Sequence, residues 1–207
     1  MALLTLLAGL GLIAASLWLY RRQRLRYPEM RRPDRPPYAV SPLTRLFRVT
    51  KIPFYLALVA NLVLVYVQRT AGPSPVLFAA GSATGGIGVL LLYSSLEALG
   101  RNFAPCDRGV LPFERICSGP YRWCRHPIYL GNLLLFIGIG IMSFGPLIAA
   151  CIVFIVLLYA SSIRDEERAL RSAPAALGGS VAGGSVSNGR HPREPADDDR
   201  TGASLNA

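Results

Sequence analysis

Charge is the first scarcity. Only 16% of the 207 residues are Asp, Glu, Lys or Arg, against 52% hydrophobic, a balance that an ordinary water-soluble domain does not show. Acidic residues are scarcer still, 12 against 22 basic ones, which leaves a formal net charge of +10. Such an excess suits a nucleic-acid binder. Here the basic residues fall between long apolar runs and lack the interleaved aromatics of a stacking surface, so no nucleic-acid partner is expected. Lysine is nearly missing: Lys51 stands alone, an arginine bias that fits a G+C-rich bacterial genome and carries no functional weight. Cysteine is sparse, and Cys106, Cys117, Cys124 and Cys151 show no paired spacing, which argues against a disulfide framework. A zinc site drawn from Cys106, Cys117, Cys124 and His126 does not match the close ligand pairs of structural zinc, and no metal is expected. The absence of a repeat of 20 to 50 residues sets a solenoid aside.

What the chain does have is five apolar stretches: Ala2 to Tyr20, Ile52 to Val67, Val76 to Leu99, Tyr129 to Phe144 and Leu147 to Ser162. A helix needs about 20 residues to cross ~30 Å of hydrocarbon, and fewer when flanking side chains snorkel. The pattern predicts an all-α integral membrane protein of about five transmembrane helices. Gly145-Pro146 breaks the helix between the last two stretches, which should form a hairpin. The first stretch has no positive charge before it and arginines after it, so it is expected to be a retained anchor rather than a signal peptide.

Ten basic residues lie between Arg21 and Lys51 and five between Gly100 and Arg125, whereas the Gln68 to Pro75 connection holds only Arg69. The positive-inside rule then puts the N-terminus outside and the basic segments in the cytoplasm. The Arg21 to Lys51 segment, with Pro33, Pro36 and Pro37, is expected to lie on anionic headgroups, a substrate gate being the alternative. From Ser172 the composition turns to Gly, Ser, Ala, Pro and charge, which predicts a multi-helix membrane domain over 1–171 and a disordered cytoplasmic tail over 172–207.

The informative segment runs from Gly119 through Arg125-His126-Pro127-Ile128-Tyr129-Leu130-Gly131-Asn132 into the fourth apolar stretch. Pro127 suits a first helical turn, which leaves Arg125 and His126 at the mouth. Gly131 would let another helix or a flat ligand approach the backbone. Arg164-Asp165-Glu166-Glu167-Arg168 follows the last stretch and returns two adjacent carboxylates to the same face. Read singly, such residues serve as interfacial anchors or a solvated face. Gly81, Gly85, Gly86 and Gly88 read as packing positions.

Together, Arg125-His126-Pro127-Ile128-Tyr129-Leu130-Gly131 and Glu166-Glu167-Arg168-Ala169-Leu170, with Leu99-Gly100-Arg101-Asn102-Phe103 upstream, resemble the isoprenylcysteine carboxyl methyltransferase superfamily over roughly Leu90 to Arg171. Arg190-His191-Pro192 repeats the tripeptide without the following tyrosine, glycine or helix. The resemblance implies an S-adenosylmethionine-dependent methyltransferase of a bacterial inner membrane, with its catalytic part over about 90–171 and a lipophilic acceptor. Carried over, Arg125, His126, Pro127, Tyr129, Gly131 and Glu167 would bind the cofactor. Glu167, Glu166 and Arg164 would be the catalytic set, Arg164 as a holder of an anionic acceptor. Acceptors in view are isoprenylcysteine-like carboxylates and phospholipid amines. A membrane reductase using a nicotinamide cofactor has a similar architecture, although the Pro127 spacing and paired glutamates favour the methyltransferase. Where the family continues with a Phe-Gly and tyrosine-rich segment, this chain has Ser172 to Gly179, which leaves a non-catalytic member as a further alternative.

Overall fold

The computed structural model describes residues 1–28, 37–68, 73–103, 109–112 and 116–172. The expected tail beyond Ser172, Pro33, Pro36, Arg69, Cys106 and the Arg190-His191-Pro192 repeat lie outside the described residues. Within them the chain is helical: α1 (Ala2–Arg26), α2 (Pro42–Gln68), α3 (Pro75–Leu99), α4 (Pro127–Met142) and α5 (Pro146–Ser172). Short 3-10 turns occupy Gly100–Asn102 and Gly119–Arg122. No strand occurs among the described residues, only a bridge between Pro37 and Val110. α1, α2, α3 and α5 are long and apolar enough to cross a membrane, and α4 is a shorter apolar helix. The protein is an all-α integral membrane protein.

Helix ends follow local chemistry. Ser74 Oγ accepts from Leu77 N at 3.3 Å with Pro75 next to it, and Pro127 opens α4 directly after His126. Each supplies what a first turn requires: an acceptor for an orphan donor, or a residue with no donor to orphan. Three helices run past their apolar stretches. α1 continues to Arg26, α5 to Ser172, and α2 begins at Pro42 rather than Ile52. In the first turns of α2, Arg45 and Arg48 are exposed while Thr44 and Phe47 are buried. An amphipathic turn holds a helix here that an apolar-run criterion misses.

α3 and α4 interlock through glycine. A Cβ on Gly88 would stand 2.6 Å from Gly131 O, and one on Gly131 would stand 3.0 Å from Gly88 O and Leu92 N. A Cβ on Gly138 would collide with Gly85 N and Gly81 O. The backbones therefore meet without side chains between them, the arrangement small residues permit in membranes. α1 is tied to α3 by Gln23 Nε2, which donates to Leu96 O at 3.1 Å and Gly100 O at 2.8 Å. α2 meets α5 at a polar knot. The buried Asp165 accepts from Ser41 N at 2.8 Å and Thr44 Oγ1 at 2.7 Å, and Ser161 Oγ lies 2.8 Å from Ser41 Oγ.

Up-and-down order gathers the ends of α1, α3 and α5 and the starts of α2 and α4 at one end of the bundle, the end with the basic connections. Phe54, Leu58, Phe136, Ile139, Ile155 and Leu158 pack the core beneath it.

Candidate functional site

A cavity of about 600 Å³ opens at that end between α1, α2, α4 and α5, within the size range of small-molecule sites. Its floor is apolar, with Leu17, Phe54, Phe136 and Ile155 among the lining side chains. The 3.6-residue helical period assigns its walls. On α4, Tyr129, Asn132 and Phe136 face the cavity, while Gly131, Leu135 and Gly138 face α3 or the core behind. On α5, Ile155, Tyr159 and Glu166 share the cavity face, and Asp165 turns to α2.

At the polar end the two sequence motifs converge. His126 Nε2 lies 3.4 Å from Glu167 Oε1, and His126 Nδ1 lies 3.9 Å from Glu166 Oε2. Tyr129 OH donates to Glu166 Oε2 at 3.5 Å. Arg125 Nη1 stands 3.8 Å from Glu167 Oε1, and Arg171 Nη2 is 3.5 Å from Glu167 Oε2. Glu167 thus lies among three basic groups, whereas Glu166 is the glutamate on the cavity wall. The aromatic rings form a second layer. Tyr129 stands edge-on to Tyr159 with ring centroids 4.9 Å apart, and the His126 ring is 5.8 Å from that of Tyr129. Tyr121 joins from the 3-10 turn before α4. Burial pushes its phenol well above the ordinary value, and the nearby Glu166 and Cys124 push it further. Tyr121 stays a neutral hydrogen-bond donor at any physiological pH.

Of the residues singled out in the sequence, Arg125, His126, Tyr129, Glu166 and Glu167 come together. Pro127 is buried at the start of α4 and sets the direction in which His126 leaves the helix. Gly131 faces α3, so the helix-approach alternative describes its position. Arg164 is exposed and is not among the residues lining the cavity. Cys117 and Cys124 are free thiols. Sequence reasoning passed over Tyr159, which stands seven residues before Glu166 on the same helix face. It also assigned no role to Asn132, whose Nδ2 donates to Tyr20 OH at 2.6 Å and so joins α4 to α1 across the wall. Spacing held the signal in both cases, three residues after Tyr129 and two turns before Glu166.

The fold and the site together define a membrane-helix bundle with a cavity that has an apolar floor and charged side chains about its mouth. Residues 76–173 match the sequence model of the phospholipid methyltransferase family. This segment, which opens at α3 and closes at the end of α5, is just under half of the chain and is what matches the isoprenylcysteine and phospholipid methyltransferase group. The chain is similar to the cobalt-zinc-cadmium resistance protein CzcN of Cupriavidus metallidurans, 42% identical over 59 residues, which is 28% of this chain and 27% of that protein. It is also similar to the nickel-cobalt-cadmium resistance protein NccN of Alcaligenes xylosoxydans xylosoxydans, 36% identical over 58 residues, again 28% of this chain and 27% of that protein. The similarity spans about a quarter of the length of these relatives. No solved structure matches the chain.

Proposed function

We propose that the protein transfers a methyl group from S-adenosylmethionine to a lipophilic acceptor, at the cytoplasmic face of a bacterial inner membrane. The observation that carries this reading is the convergence of His126, Tyr129 and Glu166 at the polar end of a cavity with an apolar floor, inside the segment that matches the family. The donor set fits the cofactor's groups. Glu166 on the wall suits an α-ammonium, and Arg125 beside it suits an α-carboxylate. Tyr129 and Tyr159 offer aromatic faces to a sulfonium or a flat ring. Glu167 holds His126 and Arg125 in place. A membrane domain over 1–171 would carry the activity and residues 172–207 would form a cytoplasmic tail.

S-adenosylmethionine, held by Glu166, Arg125 and the tyrosine pair, would supply an electrophilic methyl on a sulfonium for displacement by the acceptor, with S-adenosylhomocysteine as the leaving group. The protein's part is alignment and the exclusion of water, which the apolar floor and the aromatic layer serve. A carboxylate acceptor brings its own electron pair and releases no proton. An amine acceptor must lose one, and His126, held by Glu167, is the base within reach. The relatives are named for metal resistance; neither name states a reaction, so neither assigns an acceptor.

The test is methyl transfer itself. Protein reconstituted in bilayers of total bacterial lipid and supplied with methyl-labelled cofactor should send label into the organic phase. Glu166→Gln and His126→Ala should reduce it at least tenfold. Folded protein that labels no lipid, or that binds NADPH instead, contradicts the reading.

A further inference from the structure

Two connections meet over the polar end of the cavity. The first, Pro37 to Ser41, leads into α2, and the second, Gly109 to Pro112, lies between α3 and α4. They pair through an isolated antiparallel bridge between Pro37 and Val110, and Tyr38 N donates to Gly109 O at 2.6 Å. Tyr38, Val110 and Pro112 all line the cavity. The approach is close enough to require glycine. Gly109 has a φ of +60°, a region side chains rarely adopt, and a Cβ there would stand 2.7 Å from Tyr38 O and 2.8 Å from Val40 Cγ1. Each connection is anchored beside the bridge. Ser41 N donates to Asp165 Oδ2 at 2.8 Å and Ser41 Oγ lies 2.8 Å from Ser161 Oγ, which ties the first connection to α5 one residue from Glu166. Leu111 is buried, which ties the second to the bundle.

A charged, water-soluble ligand has to pass these connections. S-adenosylmethionine carries an ammonium, a carboxylate and a sulfonium, and taking such charges through hydrocarbon is expensive. At another edge the cavity is bordered by Leu17 and Ile52, exposed side chains of the apolar helices α1 and α2, and that edge does not admit such a ligand. The remaining approach is the polar end, which the two connections span. Segments anchored at the bundle and joined to each other by an isolated bridge open at low cost, while the packed helices beneath stay in place. We propose that residues 37–41 and 109–112 form a two-part strap over the polar end of the cavity, which parts at the Tyr38–Gly109 stitch to pass a water-soluble ligand and closes again over it. Closure shuts bulk water out of the site. Because the anchor at Asp165 lies beside Glu166, the strap and the hold on the ligand share one turn of α5. That the ligand is S-adenosylmethionine rests on the methyltransferase reading, whereas the strap rests on the geometry of the two connections.

Two arms test the strap, both in detergent-purified full-length protein with its four native cysteines replaced by alanine. The first arm needs no cofactor. Ile155→Cys puts one thiol on the cavity floor, and the rate at which a charged, water-soluble maleimide labels it reports access from outside. Gly109→Ala prises the stitch apart and should speed labelling at least fivefold, whereas Gly86→Ala, whose methyl meets nothing within 4 Å, should leave it unchanged. The second arm locks the strap. The Tyr38–Gly109 hydrogen bond flanks the Pro37–Val110 pair, which makes it the narrow kind of antiparallel pair, with Cα atoms about 4.5 Å apart and within disulfide reach. Pro37→Cys with Val110→Cys should therefore form a disulfide on oxidation, and the reduced sample of the same variant controls for folding. Oxidation before S-adenosylhomocysteine is added should slow its association at least tenfold, oxidation after loading should slow its release as much, and reductant should reverse both. Failure of the pair to oxidise, labelling indifferent to Gly109→Ala, or equal rates in locked and reduced protein overturns the strap. Labelling that responds to Gly109→Ala in folded protein that binds no S-adenosylhomocysteine keeps the strap and contradicts the cofactor. Saturable binding with rates indifferent to the lock does the reverse.

Discussion

Glu166 and Glu167 are neighbours in sequence, yet a rotation of about 100° per residue gives them different surroundings. Glu166 lines the cavity and takes the Tyr129 hydroxyl, while Glu167 lies among His126, Arg125 and Arg171. If Glu166 meets the cofactor directly, Glu166→Gln removes a charge-assisted contact of about 1.5–3 kcal/mol, which lowers affinity for S-adenosylhomocysteine at least tenfold. Glu167→Gln acts through His126 and Arg125 and should cost about threefold, or ~0.7 kcal/mol. Titration of both variants against wild type checks the order. The sequence displayed both carboxylates but not this division, which depends on how α5 is rotated against α4. Ser162 offers a separate check on stability. Its Oγ is buried with no hydrogen-bond partner among the described residues, and a buried unsatisfied polar atom costs about 1–3 kcal/mol. Ser162→Ala should leave the melting temperature in detergent unchanged or raise it.

At the scale of elements, the closest contact in the bundle is α3 against α4. Gly138→Ala places a methyl against the backbone of Gly81 and Gly85, and overpacking of this kind costs about 1–3 kcal/mol. Gly86, which its sequence context assigned to packing, instead has nothing within 4 Å of a Cβ; it is the control, and Gly86→Ala should be neutral or mildly stabilising. Thermal melts of the two variants in one detergent test the assignment. The glycine spacing made this packing legible in the sequence, because small residues four apart on an apolar helix have few other uses. The early start of α2 was not legible, since Arg45, Arg48 and Lys51 interrupt the apolar run and only the buried stripe of Thr44 and Phe47 marks the helix. Asp165 escaped for a related reason: beside two glutamates it reads as one more surface acid. It is instead a strut, buried on α2 with the Ser41 amide and the Thr44 hydroxyl. Asp165→Ala leaves that amide without a partner and should cost about 1–3 kcal/mol, seen as a lower melting temperature together with weaker binding of S-adenosylhomocysteine.

For the whole molecule, the motif half was readable and the cavity was not. Arg125 to Gly131 and Glu166 to Leu170 carry a pattern specific enough to place the family, and the Gly145-Pro146 break between their helices brings them together. The opposite wall comes from Leu17, Tyr20, Lys51 and Phe54, residues whose spacing is that of any membrane helix, so only packing reveals them. Cys117 is exposed at the basic end, which the positive-inside rule predicts to face the cytoplasm. A variant keeping Cys117 as its one cysteine should react with an impermeant maleimide in inside-out vesicles and be protected in right-side-out ones. Methyl transfer requires first that the cavity hold the cofactor. Calorimetric titration of S-adenosylhomocysteine into folded, detergent-purified protein, beside NADPH and beside Glu166→Gln, asks this most directly. Saturable binding of S-adenosylhomocysteine that Glu166→Gln weakens at least tenfold, with no uptake of NADPH, is the predicted result; no binding, or binding indifferent to Glu166, contradicts it.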